Sequence, residues 1–195
     1  MYNKYLKRLI DIVLSAIGLL VLSPILLIIA IAIKLDSKGP VLFKQKRVAK
    51  GKEDFQILKF RTMYADVPKD VPTHLLADPE SKITKIGRFL RKSSLDELPQ
   101  IWNILVGEMS IIGPRPALWN QFDLIAERDK YGANDVRPGL TGLAQIMGRD
   151  ELPIDVKANY DGQYAANVTF ANDVKIFFKT ITSVLGAKGV KEGKQ

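Results

Sequence analysis

The 195-residue chain contains no cysteine and one histidine, His74. Without cysteine there is no disulfide framework, thiol nucleophile or thiolate metal site. With one histidine, no site can be built on two imidazoles. Acidic residues are also in deficit: 21 Asp and Glu face 29 Lys and Arg, for a formal net charge of +8. Hydrophobic residues make up 47%, which excludes a disordered chain. The length suits one compact domain, with room for an appendage. A basic, fairly apolar chain leaves three partners open: nucleic acid, a membrane surface or a phosphate-rich substrate.

Residues 12–33 carry no charge. As a straight helix they would reach roughly 33 Å, enough to cross a hydrocarbon core. Ser23-Pro24 stands in the middle of this run, and proline predicts a break there. Cations flank both ends: Lys4, Lys7 and Arg8 before, then Lys34, Lys38, Lys44, Lys46, Arg47, Lys50 and Lys52. Excess Lys and Arg mark the cytoplasmic side, so both ends read as cytoplasmic. A re-entrant helix satisfies both features, and a spanning anchor is the competing reading. A cleaved signal peptide fits poorly, because Ala30-Ile31-Ala32 lies inside the apolar run. A buried core helix also fits poorly, since the run has no polar face. Asp11 reads as an edge charge, four residues from Lys7 and able to pair with it or with Arg8.

After a turn at Asp36-Ser37-Lys38-Gly39-Pro40, alternating stretches at 41–48 and 55–63 predict a β-hairpin. Between Lys34 and Arg61 nine cations meet three acids, so +6 of the net charge lies here. That cluster suits anionic head groups or substrate phosphates. Residues 64–80 carry three prolines and read as a loop, with His74 as a surface residue. Helices are predicted over 81–92, 116–131 and 173–185, each with an apolar face able to pack or to lie on a bilayer. Residues 187–195 read as a frayed polar tail.

Three stretches could carry chemistry. Ser94-Leu95-Asp96-Glu97-Leu98-Pro99-Gln100 places Ser94 and Glu97 as a capping box. Acids in a first turn complement the helix dipole, which is a sufficient structural reason for them. Chemically, one carboxylate could attack or bind Mg²⁺ while its neighbour handles a proton. Gly113-Pro114-Arg115-Pro116 fixes one arginine between two prolines, ready for phosphate or for a carboxylate. Arg137-Pro138-Gly139-Leu140-Thr141-Gly142, with Gln145 and Gly148-Arg149, is a glycine-rich turn of a kind that can wrap phosphate. It matches neither a Walker loop nor a dinucleotide fingerprint. With soft ligands absent, Mg²⁺ is the natural charge neutraliser.

At these motifs the chain resembles the small monotopic phosphoglycosyl transferases, the bacterial sugar transferases. The matching stretches begin with Lys7-Arg8-x-x-Asp11, Ser23-Pro24 and Gly39-Pro40-x-x-Phe43-x-Gln45-x-Arg47. They continue with Lys59-Phe60-Arg61-Thr62-Met63, 91–100, 107–116 and 137–145, in order over nearly the whole length.

The resemblance implies transfer of a sugar 1-phosphate from a UDP-sugar to undecaprenyl phosphate, with release of UMP. This is the first membrane step of capsule, O-antigen or glycoprotein glycan assembly. Asp96 would be the nucleophile and a Mg²⁺ ligand, Glu97 its positioning or proton-handling partner, and the kinetics ping-pong. Arg115, Arg91 and Lys59 would hold phosphates, with Arg137 and Arg149 nearer the donor. Asp173 resembles the family's late aspartate near the active site. Arg61, Gln100, Pro114 and Thr141 fall in the same motifs.

The implied fold is mainly α with a small β-hairpin. A re-entrant membrane helix over 1–35, broken at Ser23-Pro24, would lead into a cytoplasmic domain over 36–195 with interfacial helices. The chain would be the catalytic core, without the extra N-terminal membrane helices of larger relatives. It would sit on the cytoplasmic face of the bacterial inner membrane. Residues 116–121 and 147–151 look most like capsule and O-antigen enzymes acting on N-acetylated deoxysugars. Membrane lipids, a second copy of the chain and downstream glycosyltransferases join the expected partners; nucleic acid does not. The competing expectation is a non-catalytic membrane-tethered scaffold whose basic hairpin binds anionic lipid.

Overall fold

A computed structural model describes residues 2–67, 78–148 and 152–185. A π-helical turn, Tyr2–Leu6, runs into α1, Lys7–Asp36. The helix continues through Pro24 as one element, so the break expected at Ser23-Pro24 is not formed. Proline offers no N–H to the Leu20 carbonyl one turn back, and the Ser23 hydroxyl donates to that carbonyl instead, at 2.8 Å. Only 11% of the apolar window of this helix is buried, and Leu20 and Leu35 stay 77% and 84% exposed. It is long and apolar enough to cross a membrane.

One stripe of α1 is spent on the rest of the chain. Near its start, Asp11 accepts the Ser110 hydroxyl at 2.8 Å and the Ile111 N–H at 3.0 Å. The pairing expected within the helix is therefore not made. Lys7 instead reaches Asp173 at 2.6 Å, and Arg8 donates to the carbonyls of Ile104 and Leu105. These buried long-range partners outcompete an exposed i,i+4 pair, which is worth only about 0.3–0.5 kcal/mol. Near the end of the helix, Ile29 and Ile33 pack with Phe60 and Leu90. Burying such side chains contributes about 1.5–3 kcal/mol each.

The expected hairpin forms from β1, Leu42–Val48, and β2, Asp54–Phe60, antiparallel with Leu42 opposite Phe60 and Val48 opposite Asp54. Gly51 and Lys52 take positive φ in the connection. The next helix, α2, spans Lys85–Ser93 and starts later than expected, because Met63 and Ile83 form a β-bridge first. The Thr84 hydroxyl then caps it, accepting the Gly87 N–H at 3.0 Å. Helix α3 spans Gln100–Val106, and Gly18 of α1 faces Ile101 on it.

Strands β3, Ser110–Ile112, and β4, Gly139–Thr141, pair in parallel, an arrangement not expected from the sequence. Helix α4 is confined to Phe122–Asp129, because 116–121 is drawn to the hairpin: Leu118 bridges Arg47, and the Val48 N–H reaches the Ala117 carbonyl. Helix α5, Leu143–Met147, and helix α6, Ile154–Ala166, follow. The latter was not anticipated. Helix α7, Phe170–Leu185, begins three residues before the predicted start. Val174, Phe177, Phe178 and Ile181 stay exposed on it, while Ile176 packs with Ile112 and Tyr164. The described residues are thus mainly helical, with two small sheets.

Candidate active site

Strand alternation sends Phe55, Ile57 and Lys59 of β2 to one face. The first two enter the core, and Lys59 meets Glu97 at 2.7 Å. Glu97 belongs to a 3₁₀ turn, Leu95–Glu97, that follows Ser94 in left-handed conformation at φ 56°. The capping box is not formed, because the Ser94 side chain makes no cap bond and the Glu97 carboxylate is engaged elsewhere. Its Oε1 accepts from Lys59 Nζ and from Arg115 Nη2, both at 2.7 Å. Partners 38 and 18 residues away displace the local one.

Arg115 is presented by a loop whose carbonyls are taken in succession. Pro114 accepts the Gly139 N–H at 2.8 Å. The Arg115 carbonyl accepts from Arg128 at 2.9 Å, and that of Pro116 from Arg47 at 3.0 Å. Arg128 is buried and doubly bonded to the buried Asp161, at 2.6 and 2.9 Å. The arginine between two prolines therefore does pair with a carboxylate, and that carboxylate belongs to the Asp-Glu dyad.

The two adjacent acids are in opposite electrostatic situations. Burial would raise the Glu97 carboxyl, but Arg115 and Lys59 more than reverse this and hold it far below the usual range. Burial raises the Asp96 carboxyl, and the Glu97 charge adds to the rise; Lys59, Arg91 and Arg115 oppose it. Among the described residues Asp96 makes no hydrogen bond or ion pair of its own. Successive residues of a 3₁₀ turn point about 120° apart, so the clamp on Glu97 leaves Asp96 facing elsewhere. Arg91 is steadied by Thr62, whose hydroxyl accepts its Nε–H at 2.9 Å.

Lys59, Arg91, Asp96, Glu97 and Arg115 thus come together. Gln100 is buried just beyond, and its Nε2 has no hydrogen-bond partner among the described residues. Other candidates have structural partners away from the dyad. Arg61 donates to the carbonyls of Ser37 and Lys38, closing the turn after α1. Arg137 donates to the Gly107 carbonyl at 3.0 Å. Thr141 lies in β4, its hydroxyl 2.8 Å from that of Thr180. Asp173 is buried against Lys7, Tyr2 and Tyr164. Arg149 and His74 lie outside the described residues. The glycines of 139–142 serve close packing: a Cβ on Gly142 or Gly139 would collide with the Gly113 backbone.

The reading of the sequence missed Arg128 and Asp161, which hold the Arg115 loop. The available signal was an arginine four residues after Leu124 on the buried side of a helix.

Among the described residues no group of three or more His, Cys, Asp or Glu converges for a metal. Asp96, with Glu97 engaged, offers one open carboxylate. That donor set fits Mg²⁺, which takes one or two carboxylates plus substrate phosphates and water.

Known proteins of similar sequence place the chain in a family. A uncharacterized sugar transferase of Bacillus subtilis is 39% identical over 96% of this chain and 91% of its own. The UDP-glucose:undecaprenyl-phosphate glucose-1-phosphate transferase of Caulobacter vibrioides is 39% identical, over 92% of this chain and 69% of its own. The UDP-N-acetylgalactosamine-undecaprenyl-phosphate N-acetylgalactosaminephosphotransferase of Aeromonas hydrophila is 38% identical over 96% of this chain. The chain spans 45% of that relative's length. The bacterial sugar transferase family model matches residues 2–187, and the chain belongs to that family.

Proposed function

We propose that this chain transfers a sugar 1-phosphate from a UDP-sugar to undecaprenyl phosphate through a covalent phosphosugar on Asp96. The observation that carries this is the contrast within the dyad. Glu97 is held by two cations, while Asp96 makes no hydrogen bond or ion pair among the described residues, is partly desolvated and is ringed by Lys59, Arg91 and Arg115. Environments that push two carboxylates apart mark different roles. The donor and acceptor classes rest on the family and on the names of its relatives.

The Asp96 carboxylate oxygen attacks the β-phosphorus, and the bond from that phosphorus to the bridging oxygen breaks. UMP leaves with the oxygen. An oxygen of the lipid phosphate then attacks the same phosphorus and frees Asp96. Lys59, Arg91 and Arg115 hold phosphate oxygens. Glu97 keeps Lys59 and Arg115 in place; its low proton affinity suits positioning better than base catalysis. Asp96 would also hold Mg²⁺, which when bound supplies charge neutralisation of the diphosphate. N-acetylated deoxysugars are the first donors to test, on the likeness of 116–121 and 147–151.

The placement is monotopic, on the cytoplasmic face. Both ends of α1 dock on the same domain, through Asp11 with Ser110 and through Ile33 with Phe60, which supports re-entry over crossing. Asn3→Cys and Lys38→Cys should both react with a cytoplasmic thiol label; labelling from opposite sides contradicts re-entry.

The reaction is tested by UMP release from a panel of UDP-sugars with Mg²⁺ and undecaprenyl phosphate. Without acceptor, mass spectrometry should find a phosphosugar on Asp96. Full turnover by Asp96→Asn would overturn the mechanism. No UMP from any donor would favour the scaffold reading.

A further inference from the structure

A polar cavity of about 410 Å³ lies beside the first turns of α1. It is set apart from the dyad along β3: Ser110, the first residue of that strand, lines it, whereas Arg115 lies three residues beyond the last. Five cations line the cavity: Lys4, Lys7, Arg8, Lys50 and Arg137. Two acids, Asp11 and Asp135, stand against them.

These charges are not all equally committed. Asp11 is satisfied by Ser110 and Ile111, and Lys7 is neutralised by Asp173. Arg8 and Arg137 both turn to carbonyls at the end of α3, which brings two guanidinium groups to one place. Arg8 donates from both terminal nitrogens, but Arg137 uses only its Nε. The terminal nitrogens of Arg137 and the ammonium groups of Lys4 and Lys50 have no hydrogen-bond acceptor among the described residues. Lys4 lies 5.3 Å from the Tyr5 ring centroid. The cavity therefore keeps donors and positive charge that its own carboxylates do not use.

A compact oxyanion with several acceptor oxygens matches such a set, and phosphate does so best. The surroundings narrow the source. Tyr5, Leu6 and Leu9 are exposed beside the cavity, and Tyr2 packs edge-on against the exposed Phe170 of α7. Exposed apolar side chains on the turns that supply Lys4, Lys7 and Arg8 to a basic pocket are an arrangement that meets lipid head groups. We propose that this cavity binds the phosphate of an anionic membrane lipid and so holds the start of α1 at head-group depth. The site is separate from the transfer reaction and stands whether or not Asp96 takes a phosphosugar.

The test uses the full chain in neutral detergent without sugar donor. Phosphatidylglycerol and phosphatidylcholine are added in turn, and retained lipid is counted by native mass spectrometry. The chain should retain phosphatidylglycerol in preference. Lys4→Gln/Lys50→Gln should weaken that retention about tenfold or more. Lys44→Gln/Lys130→Gln removes the same charge from exposed positions away from the cavity and should retain lipid as the unaltered chain does. Equal behaviour of the two double variants overturns the proposal. Inorganic phosphate serves as competitor: failure to displace the lipid at equal concentration supports a head-group ligand, and displacement overturns that source.

Discussion

Glu97 lies between Lys59 and Arg115, one oxygen accepting from both at 2.7 Å. This single relationship makes the two members of the dyad unlike. It also sets opposite expectations for removing a cation and removing the anion.

Under the proposed mechanism turnover needs ionised Asp96, whose carboxyl is raised by burial, so activity should fall as pH drops through that raised value. Lys59→Met removes a cation that lowers the Asp96 carboxyl, and the acid limb of kcat/KM should move to higher pH. Glu97→Gln removes a charge that raises it, and the limb should move to lower pH. Shifts in the same direction would contradict the electrostatic assignment.

Arg115→Ala should reduce kcat about 10²–10³-fold, the usual loss for a preorganised donor at developing charge. Arg115→Lys should recover only part, since a lysine cannot present a planar fork. Steady-state UMP release measures both.

The depressed Glu97 carboxyl also makes folding depend on pH. Its contribution is complete above the unfolded value, near 4.3, and is lost as pH falls below it. The melting temperature of the unaltered chain should therefore fall more steeply on acidification than that of Glu97→Gln. Parallel curves would show that the clamp adds nothing to stability.

Asp161→Asn strips Arg128 of its buried partner and should cost about 3–5 kcal/mol. The double change Arg128→Met/Asp161→Leu should recover most of that stability. It cannot restore the bond to the Arg115 carbonyl, so turnover should stay low while the fold melts normally. Recovery of both together would mean that Arg128 only fills the core.

Ser23→Ala removes the hydroxyl that serves the Leu20 carbonyl and should lower thermal stability in detergent by about 1 kcal/mol. In a Pro24→Ala background the backbone N–H returns, and the same change should cost little. Equal costs in both backgrounds would separate the serine from the proline.

Much of this was legible because the signals are local. The uncharged run, the Gly51 hairpin and the apolar face of α7 report their own conformation, since periodicity and turn chemistry act within a few residues. Helix α6 was hidden because its buried face is Ala158, Asp161, Gly162 and Tyr164, not an apolar stripe. Strands β3 and β4 have three residues each, and their pairing depends on how closely Gly113 and Gly139 approach. The Ser94 to Glu97 spacing had the form of a local cap, yet Glu97 had stronger partners far away in sequence.

The residue types alone determined that chemistry would fall on oxygen ligands and arginines beside an apolar helix, because no cysteine and one histidine leave few other groups. Tertiary structure decided which carboxylate of the Asp-Glu pair is clamped and which is open. It also turned Arg137 and Asp173 toward α3 and α1 and enlisted Arg128 and Asp161 behind Arg115. Those outcomes depend on which charges are brought within about 3 Å and shielded from water, and pairings across tens of residues are set only when the chain is packed.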